Sequence, residues 1–175
     1  MDIAGALSLI RAIPDYPKPG ILFQDITPML SNGQALDVVI THLASLDNQS
    51  EIAIGIEARG FILASALAVK RKIGFVPIRK AGKLPHLTIS ESYGLEYGVD
   101  TLEVHIDAVT PGAKVLLIDD VLATGGTLVA GVKLIHQCGA VVESAVVALE
   151  IEGLPGRSAF LGAFPDIALN SLFVK

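Results

Sequence analysis

Val115-Leu116-Leu117-Ile118-Asp119-Asp120-Val121-Leu122-Ala123-Thr124-Gly125-Gly126-Thr127 runs from four apolar residues into two carboxylates, then into a loop of small residues that opens a helix. The Pro111-Gly112 turn announces a strand over residues 115–118, and Gly139 closes a helix expected over residues 127–138. In an open α/β sheet this junction lies at the carboxyl end of the strand, where ligands bind. Ala123, Thr124, Gly125 and Gly126 let the backbone come close to a ligand. The following helix points its N–H groups and positive dipole end at the same place, and Thr124 and Thr127 add hydroxyl donors. The loop suits a phosphate monoester. Carboxylates beside a phosphate repel it, so Asp119 and Asp120 need a partner of their own. Either a sugar donates its hydroxyls to them, or a Mg²⁺ carried by the ligand relieves the repulsion. A bare Gly-Gly turn is often an ordinary strand–turn–helix with a solvated acidic cap. The apolar strand, the acidic pair and Thr124-Gly125-Gly126-Thr127 in that order argue against this reading.

Strand and helix alternate on both sides of this stretch. Residues 51–57 predict a buried strand (Ile52, Ile54, Ile56), residues 59–72 a helix, and residues 73–78 the next strand. Residues 102–106 alternate as a strand does, and residues 141–149 form another apolar run. Strands that are apolar on both faces favour a parallel sheet with helices on each side. Upstream, the spacing of Ile3, Leu7 and Ile10 predicts a helix within residues 2–13, and residues 35–46 a second one capped by Ser31 or Asn32. Between them, Pro14, Pro17 and Pro19 forbid regular structure and make a stiff connecting arm. Residues 79–98 are polar and show no stable period, which predicts a flexible hood loop. The expected architecture is a single α/β domain over residues 1–175, with an N-terminal helix and arm (1–33) and an inserted hood (79–98).

Composition narrows the function classes. At 175 residues one domain is expected, with core enough to fold without disulfides. Hydrophobic residues make up 51% and charged ones 18%, against about 25% charged in an average chain, so general disorder is excluded. A net charge of −5 argues against nucleic acid as a partner. The longest nearly apolar stretch, residues 61–69, is too short to span a bilayer. The start lacks a signal-peptide pattern, and a cytoplasmic protein is the expectation. Cys138 is the only cysteine, so there is no disulfide framework. It reads as a buried small hydrophobe. No His or Cys pair has metal-ligand spacing, so no resident metal is expected. His86 alone among the four histidines has a claim to ligand contact, through its place in the hood. The P-loop pattern fails because Val132 stands where its lysine belongs.

The acidic pair and the loop after it closely resemble the phosphoribosyl pyrophosphate signature of the type I phosphoribosyltransferases. Three further segments resemble the adenine-specific group of that family. They are Pro17-Lys18-Pro19-Gly20-Ile21-Leu22-Phe23-Gln24-Asp25-Ile26, then Glu57-Ala58-Arg59-Gly60-Phe61, then Arg79-Lys80-Ala81-Gly82-Lys83-Leu84-Pro85 with Leu95-Glu96-Tyr97-Gly98. The resemblance covers about residues 15–139 and weakens after Leu149, beyond which no role is carried over. It implies transfer of the 5-phosphoribosyl group to adenine, giving AMP and pyrophosphate, in a Mg²⁺-dependent homodimer. The leaving pyrophosphate then needs cations, the base a fixed position, and the reaction centre protection from water. The resemblance assigns Asp119 and Asp120 with Ala123, Thr124, Gly125, Gly126 and Thr127 to the ribose phosphate. It assigns Arg59, Lys80 and Lys83 to pyrophosphate, some of the hood cations acting across a dimer interface. It assigns Leu22, Phe23, Gln24 and Val121 to adenine. Val121 stands where most relatives carry leucine. By the same resemblance Glu96 handles the adenine N7 proton and Tyr97 covers the reaction centre. Asp25 braces the arm, and core packing is a second role for Leu22 and Phe23.

Two other functions compete. One is a phosphoribosyltransferase for hypoxanthine, guanine or xanthine, which the arm before Phe23 and the 95–98 segment disfavour. The other is a regulator that binds phosphoribosyl pyrophosphate without catalysis. Such a protein needs a basic DNA-binding segment, and the chain has no spare one.

Overall fold

A computed structural model describes residues 1–94 and 98–175. Helix α1 (Ile3–Leu7) leads to β1 (Arg11–Ile13), β2 (Phe23–Asp25), α2 (Thr27–Leu30) and α3 (Gly33–Ser45). Then come β3 (Ile52–Ile56), α4 (Arg59–Arg71), β4 (Gly74–Lys80), β5 (Thr88–Gly94) and β6 (Val99–His105). The chain ends with β7 (Lys114–Leu122), α5 (Gly126–Gln137), β8 (Val141–Glu150), α6 (Gly156–Ala163) and β9 (Ala168–Val174).

Seven strands form one sheet in the order β5-β6-β4-β3-β7-β8-β9. From β4 to β9 neighbours run parallel, while β6 pairs antiparallel with both β4 and β5. Alternate residues of β7 face opposite ways. Val115 and Leu117 pack with α5 and Phe160 of α6, while Leu116 and Ile118 pack with α1, α3 and α4. Burial on both faces favours a near-continuous apolar run, and this makes residues 115–118 legible as sequence. Helix α4 leaves β3 on one face and α5 leaves β7 on the other, so the strand order reverses between β3 and β7. A crevice opens at such a reversal, beyond the carboxyl ends of the strands.

Three expectations need correction. The first helix is only Ile3–Leu7, because residues 11–13 pair with residues 23–25 instead. Arg11 Nη2 lies 2.6 Å from Asp25 Oδ2 and clamps that pairing, so Asp25 does brace the arm. The central strand does not stop at Ile118. It continues through Asp119 and Asp120 to Leu122, with β8 hydrogen-bonded alongside. Residues 79–98 are not a loop throughout, since β4 runs to Lys80 and β5 pairs with β6 from Thr88↔His105 to Gly94↔Val99. The inward side of β5 carries Glu91 between Ile89 and Tyr93, paired with Lys133 (3.0 Å) and Gln137 (3.1 Å) of α5. A charged residue on the covered face conceals the period on which strand recognition depends.

The arm is irregular, as the prolines require. Gly20 N–H bonds Asp15 Oδ1 (2.8 Å), and Tyr16 sits edge-on to Phe23 with ring centroids 5.1 Å apart.

Candidate active site

A cavity of about 940 Å³ occupies the crevice. Its walls come from the arm (Leu22, Phe23, Gln24), the β3–α4 junction (Glu57, Ala58, Arg59), the hood strands (Lys80, Tyr93), the end of β7 with its loop (Asp119, Asp120, Val121, Ala123, Thr124, Thr127) and residues 151–155.

Arg59 is the centre of the arrangement. Its Nε lies 2.8 Å from Asp120 Oδ2, its Nη1 donates to the Gln24 carbonyl at 2.8 Å, and its guanidinium sits 4.8 Å from the Phe23 ring centroid. One side chain thus joins α4, the end of β7 and the arm. The Gln24 carbonyl keeps a second lone pair for a ligand. Leu22 is 54% exposed at the cavity edge, so core packing is not its role.

The two carboxylates are buried, and Asp120 N–H donates to Asp119 Oδ1 at 2.9 Å. Burial disfavours their charged forms and pushes both above the ordinary carboxylate range. The Asp120 charge adds to this at Asp119, whereas Arg59 opposes it at both.

Beyond them, Gly125 caps α5 with φ +86°, and no side chain caps this helix. Its first N–H groups are therefore open to an anion. Gly125 lines a small adjoining hollow rather than the main cavity, and Gly126 lies beneath Tyr93 and Gly94 of the hood.

The segment after β8 is a wall that sequence reading missed. A side chain at Gly156 would press into the Ala123 carbonyl oxygen and lie 2.9 Å from Leu122, while one at Gly125 would lie 2.7 Å from the Gly156 carbonyl. The two glycines interlock, so the start of α6 fixes the shape of the loop at residues 123–127. The signal was present in Gly153-Leu154-Pro155-Gly156, which follows an apolar strand and opens a helix as residues 123–126 do. Glu57 and Tyr93 were also missed as cavity residues, Glu57 despite its place in a quoted motif.

Other expectations resolve less favourably. Lys83 is not on the cavity wall and instead pairs with Glu57. His86 is exposed and away from the cavity, its ring centroid 6.1 Å from that of His105. Cys138 is buried, which pushes its thiol up. Glu96 and Tyr97 lie outside the described residues.

The sequence model of a family described as "phosphoribosyl transferase domain" matches residues 29–157. An adenine phosphoribosyltransferase of Nocardioides sp. is 50% identical over 169 residues, covering 93% of this chain and 91% of the relative. That of Thermobifida fusca is 54% identical over 165 residues, covering 93% and 92%. The chain belongs to the adenine phosphoribosyltransferase family.

Family membership makes the chain a transferase. The crystal structure of the adenine phosphoribosyltransferase from Thermoanaerobacter pseudethanolicus superposes with a TM-score of 0.93 at 42% identity, covering 99% of each chain. The APRTase from Giardia lamblia, crystallised with 9-deazaadenine, gives 0.93 at 39% identity over 100% of this chain and 98% of that one. Similarity to family members therefore extends through the last 25 residues, where the sequence resemblance had been carried no further.

Two outcomes follow from the buried pair and the interlock. Gly156→Ala lowers stability by about 1–3 kcal/mol, the usual effect of overpacking, and weakens phosphate binding, read by thermal melting and titration with ribose 5-phosphate. Asp119→Asn raises Tm near neutral pH by roughly 2–4 °C, because it removes a charge that burial disfavours and keeps the Oδ1 acceptor. The wild type loses stability as pH rises from the ordinary carboxylate value through the raised one. The gain from Asn therefore vanishes at low pH, and a melting series across pH reads it.

Proposed function

We propose that the crevice between β3 and β7 is where this chain transfers the 5-phosphoribosyl group from phosphoribosyl pyrophosphate to adenine, giving AMP and pyrophosphate, a purine-salvage reaction. The carrying observation is the buried pair Asp119–Asp120 directly before the uncapped start of α5, with the arm facing it across one cavity. Family membership supports the same reaction.

The 5′-phosphate sits in the loop from Ala123 through Thr124, Gly125 and Gly126 to Thr127, bonded by main-chain N–H groups and the two threonine hydroxyls. The ribose hydroxyls donate to Asp119 and Asp120. Ionising two buried carboxylates is costly without partners, and the sugar supplies them. Arg59, Lys80 and Lys83 face the pyrophosphate and stabilise the charge that develops as it leaves C1. Adenine lies between the arm (Leu22, Phe23, Gln24) and Val121, its edge read by main-chain groups at Leu22 and Gln24. As the sugar becomes oxocarbenium-like, a base nitrogen attacks from the opposite face. Glu96 takes or returns the N7 proton, and Tyr97 shields the centre from water.

Mg²⁺ enters with phosphoribosyl pyrophosphate. Among the described residues no three His, Cys, Asp or Glu side chains are grouped to hold a metal. The hard oxygens of Asp119 and Asp120 would suit its outer contacts, and when bound it would supply positive charge to the leaving group.

A homodimer accounts for the outer face of α4. Ile62 (42% exposed) and Val69 (80%) stand about two turns apart on α4, and Phe75 (37%) sits against Phe61 of the same helix, apolar groups that a second copy would cover. A cytoplasmic site of action agrees with the single cysteine. Among the described residues no helix is long and apolar enough to cross a membrane.

The test is an assay with Mg²⁺, phosphoribosyl pyrophosphate and each of adenine, hypoxanthine, guanine and xanthine in turn. AMP forms from adenine while the oxo-purines are left largely untouched. Turnover of an oxo-purine instead overturns the adenine assignment of the arm. No turnover, with phosphoribosyl pyrophosphate still bound, makes the chain a regulator. Analytical ultracentrifugation checks the second copy: wild type sediments as a dimer and Val69→Lys as a monomer.

A further inference from the structure

Glu57 follows β3 directly at the cavity wall, with its side chain 8% exposed. Its Oε1 pairs with Lys83 Nζ. Its Oε2 accepts the Lys80 N–H at 2.9 Å and Arg79 Nε at 3.3 Å. Across the hood, Asp100 Oδ2 pairs with Lys80 Nζ at 2.9 Å and accepts the Tyr93 hydroxyl at 3.3 Å. Arg59 is already held by Asp120. Every cation assigned above to pyrophosphate therefore has a protein carboxylate against it before any substrate arrives.

The two ends of the Glu57 contact differ in kind. The bond to the Lys80 N–H is main chain and belongs to the fold. Lys83, by contrast, is 47% exposed on a long side chain and can leave without disturbing a strand. Burial works against the charged form of Glu57, yet the bonds from Lys83, the Lys80 N–H and Arg79 outweigh it and hold the carboxyl below its ordinary value. The carboxylate is thus charged when pyrophosphate enters and competes with it for the same ammonium.

We propose that Glu57 is a positioning residue that serves as a resident anion, holding Lys83 at the rim of the cavity, yielding it to incoming pyrophosphate and reclaiming it as pyrophosphate departs. The inference rests on the placement of pyrophosphate against Lys80 and Lys83 proposed above. It makes Glu57 weaken the binding of free pyrophosphate, which aids product release. A purely structural role has the opposite sign, since a disturbed site binds pyrophosphate less well.

The experiment is competitive inhibition by inorganic pyrophosphate against phosphoribosyl pyrophosphate, on the full chain with Mg²⁺, for wild type, Lys83→Met, Glu57→Gln and Glu57→Asp. Gln keeps an oxygen for the Lys80 N–H and removes the charge. The expected result is weaker inhibition for Lys83→Met and about threefold tighter inhibition for Glu57→Gln, the scale of a partly exposed ion pair. Glu57→Asp, with its carboxylate drawn back from Lys83, tightens inhibition by a smaller factor, and it decides the matter if the Gln variant does not fold. Unchanged or weaker inhibition in the Glu57 variants, with Lys83→Met weakened, overturns the resident-anion role and leaves the pyrophosphate placement standing. Unchanged inhibition for Lys83→Met overturns the placement, and the role of Glu57 with it.

Discussion

The buried carboxylates at the end of β7 are the constraint around which the rest of the molecule is arranged. Charge placed at the end of a central strand, under helices on both sides, is tolerated only with a partner at hand. Arg59 is that partner, 2.8 Å from Asp120, and its position follows from standing first in α4 immediately after β3. Because the same guanidinium also holds the Gln24 carbonyl, the arm is fixed by the charge that the strand carries. Sheet, helix and arm therefore meet at one ion pair, and the crevice takes its shape from it.

Arg59 pairs with Asp120, Lys80 with Asp100, and Arg79 and Lys83 with Glu57, so each of these cations has a protein carboxylate against it. Such a crevice does not draw in an anionic substrate by an excess of positive charge. It offers preformed positions, each occupied by an internal carboxylate, which the proposed reaction would have a substrate anion displace. Preorganisation of this kind keeps long side chains ordered in the empty site.

How much of this was legible depended on whether burial left a simple trace. The strands β3, β7 and β8 carry buried apolar runs at residues 52–56, 115–118 and 145–149, and these could be read directly. The loop from Ala123 to Thr127 carried its own signature in small residues. Strand β5 could not be read, because Glu91 is satisfied by Lys133 and Gln137 and so occupies a covered position without being apolar. The short α1 was over-extended for a related reason: Ile10 keeps helical spacing but is buried at the turn into β1. Within the site, the acidic pair, Arg59 and the small-residue loop could be read from their chemistry, whereas Gly156 acts by shape, its trace only a Gly-Leu-Pro-Gly turn that opens a helix, and Glu57 and Tyr93 reach the cavity through folding that brings distant segments together.

The contact between Gly125 and Gly156 has a consequence for the order in which the chain is made. The loop at residues 123–127 emerges from the ribosome well before the segment that holds it. Until residue 156 has been made and α6 has packed, the Ala123 carbonyl lacks its neighbour, and the loop has no wall to define its curvature. A nascent chain that already contains the whole signature is thus still without the finished loop shape. The last stretch of the protein, remote in sequence from the signature, completes it.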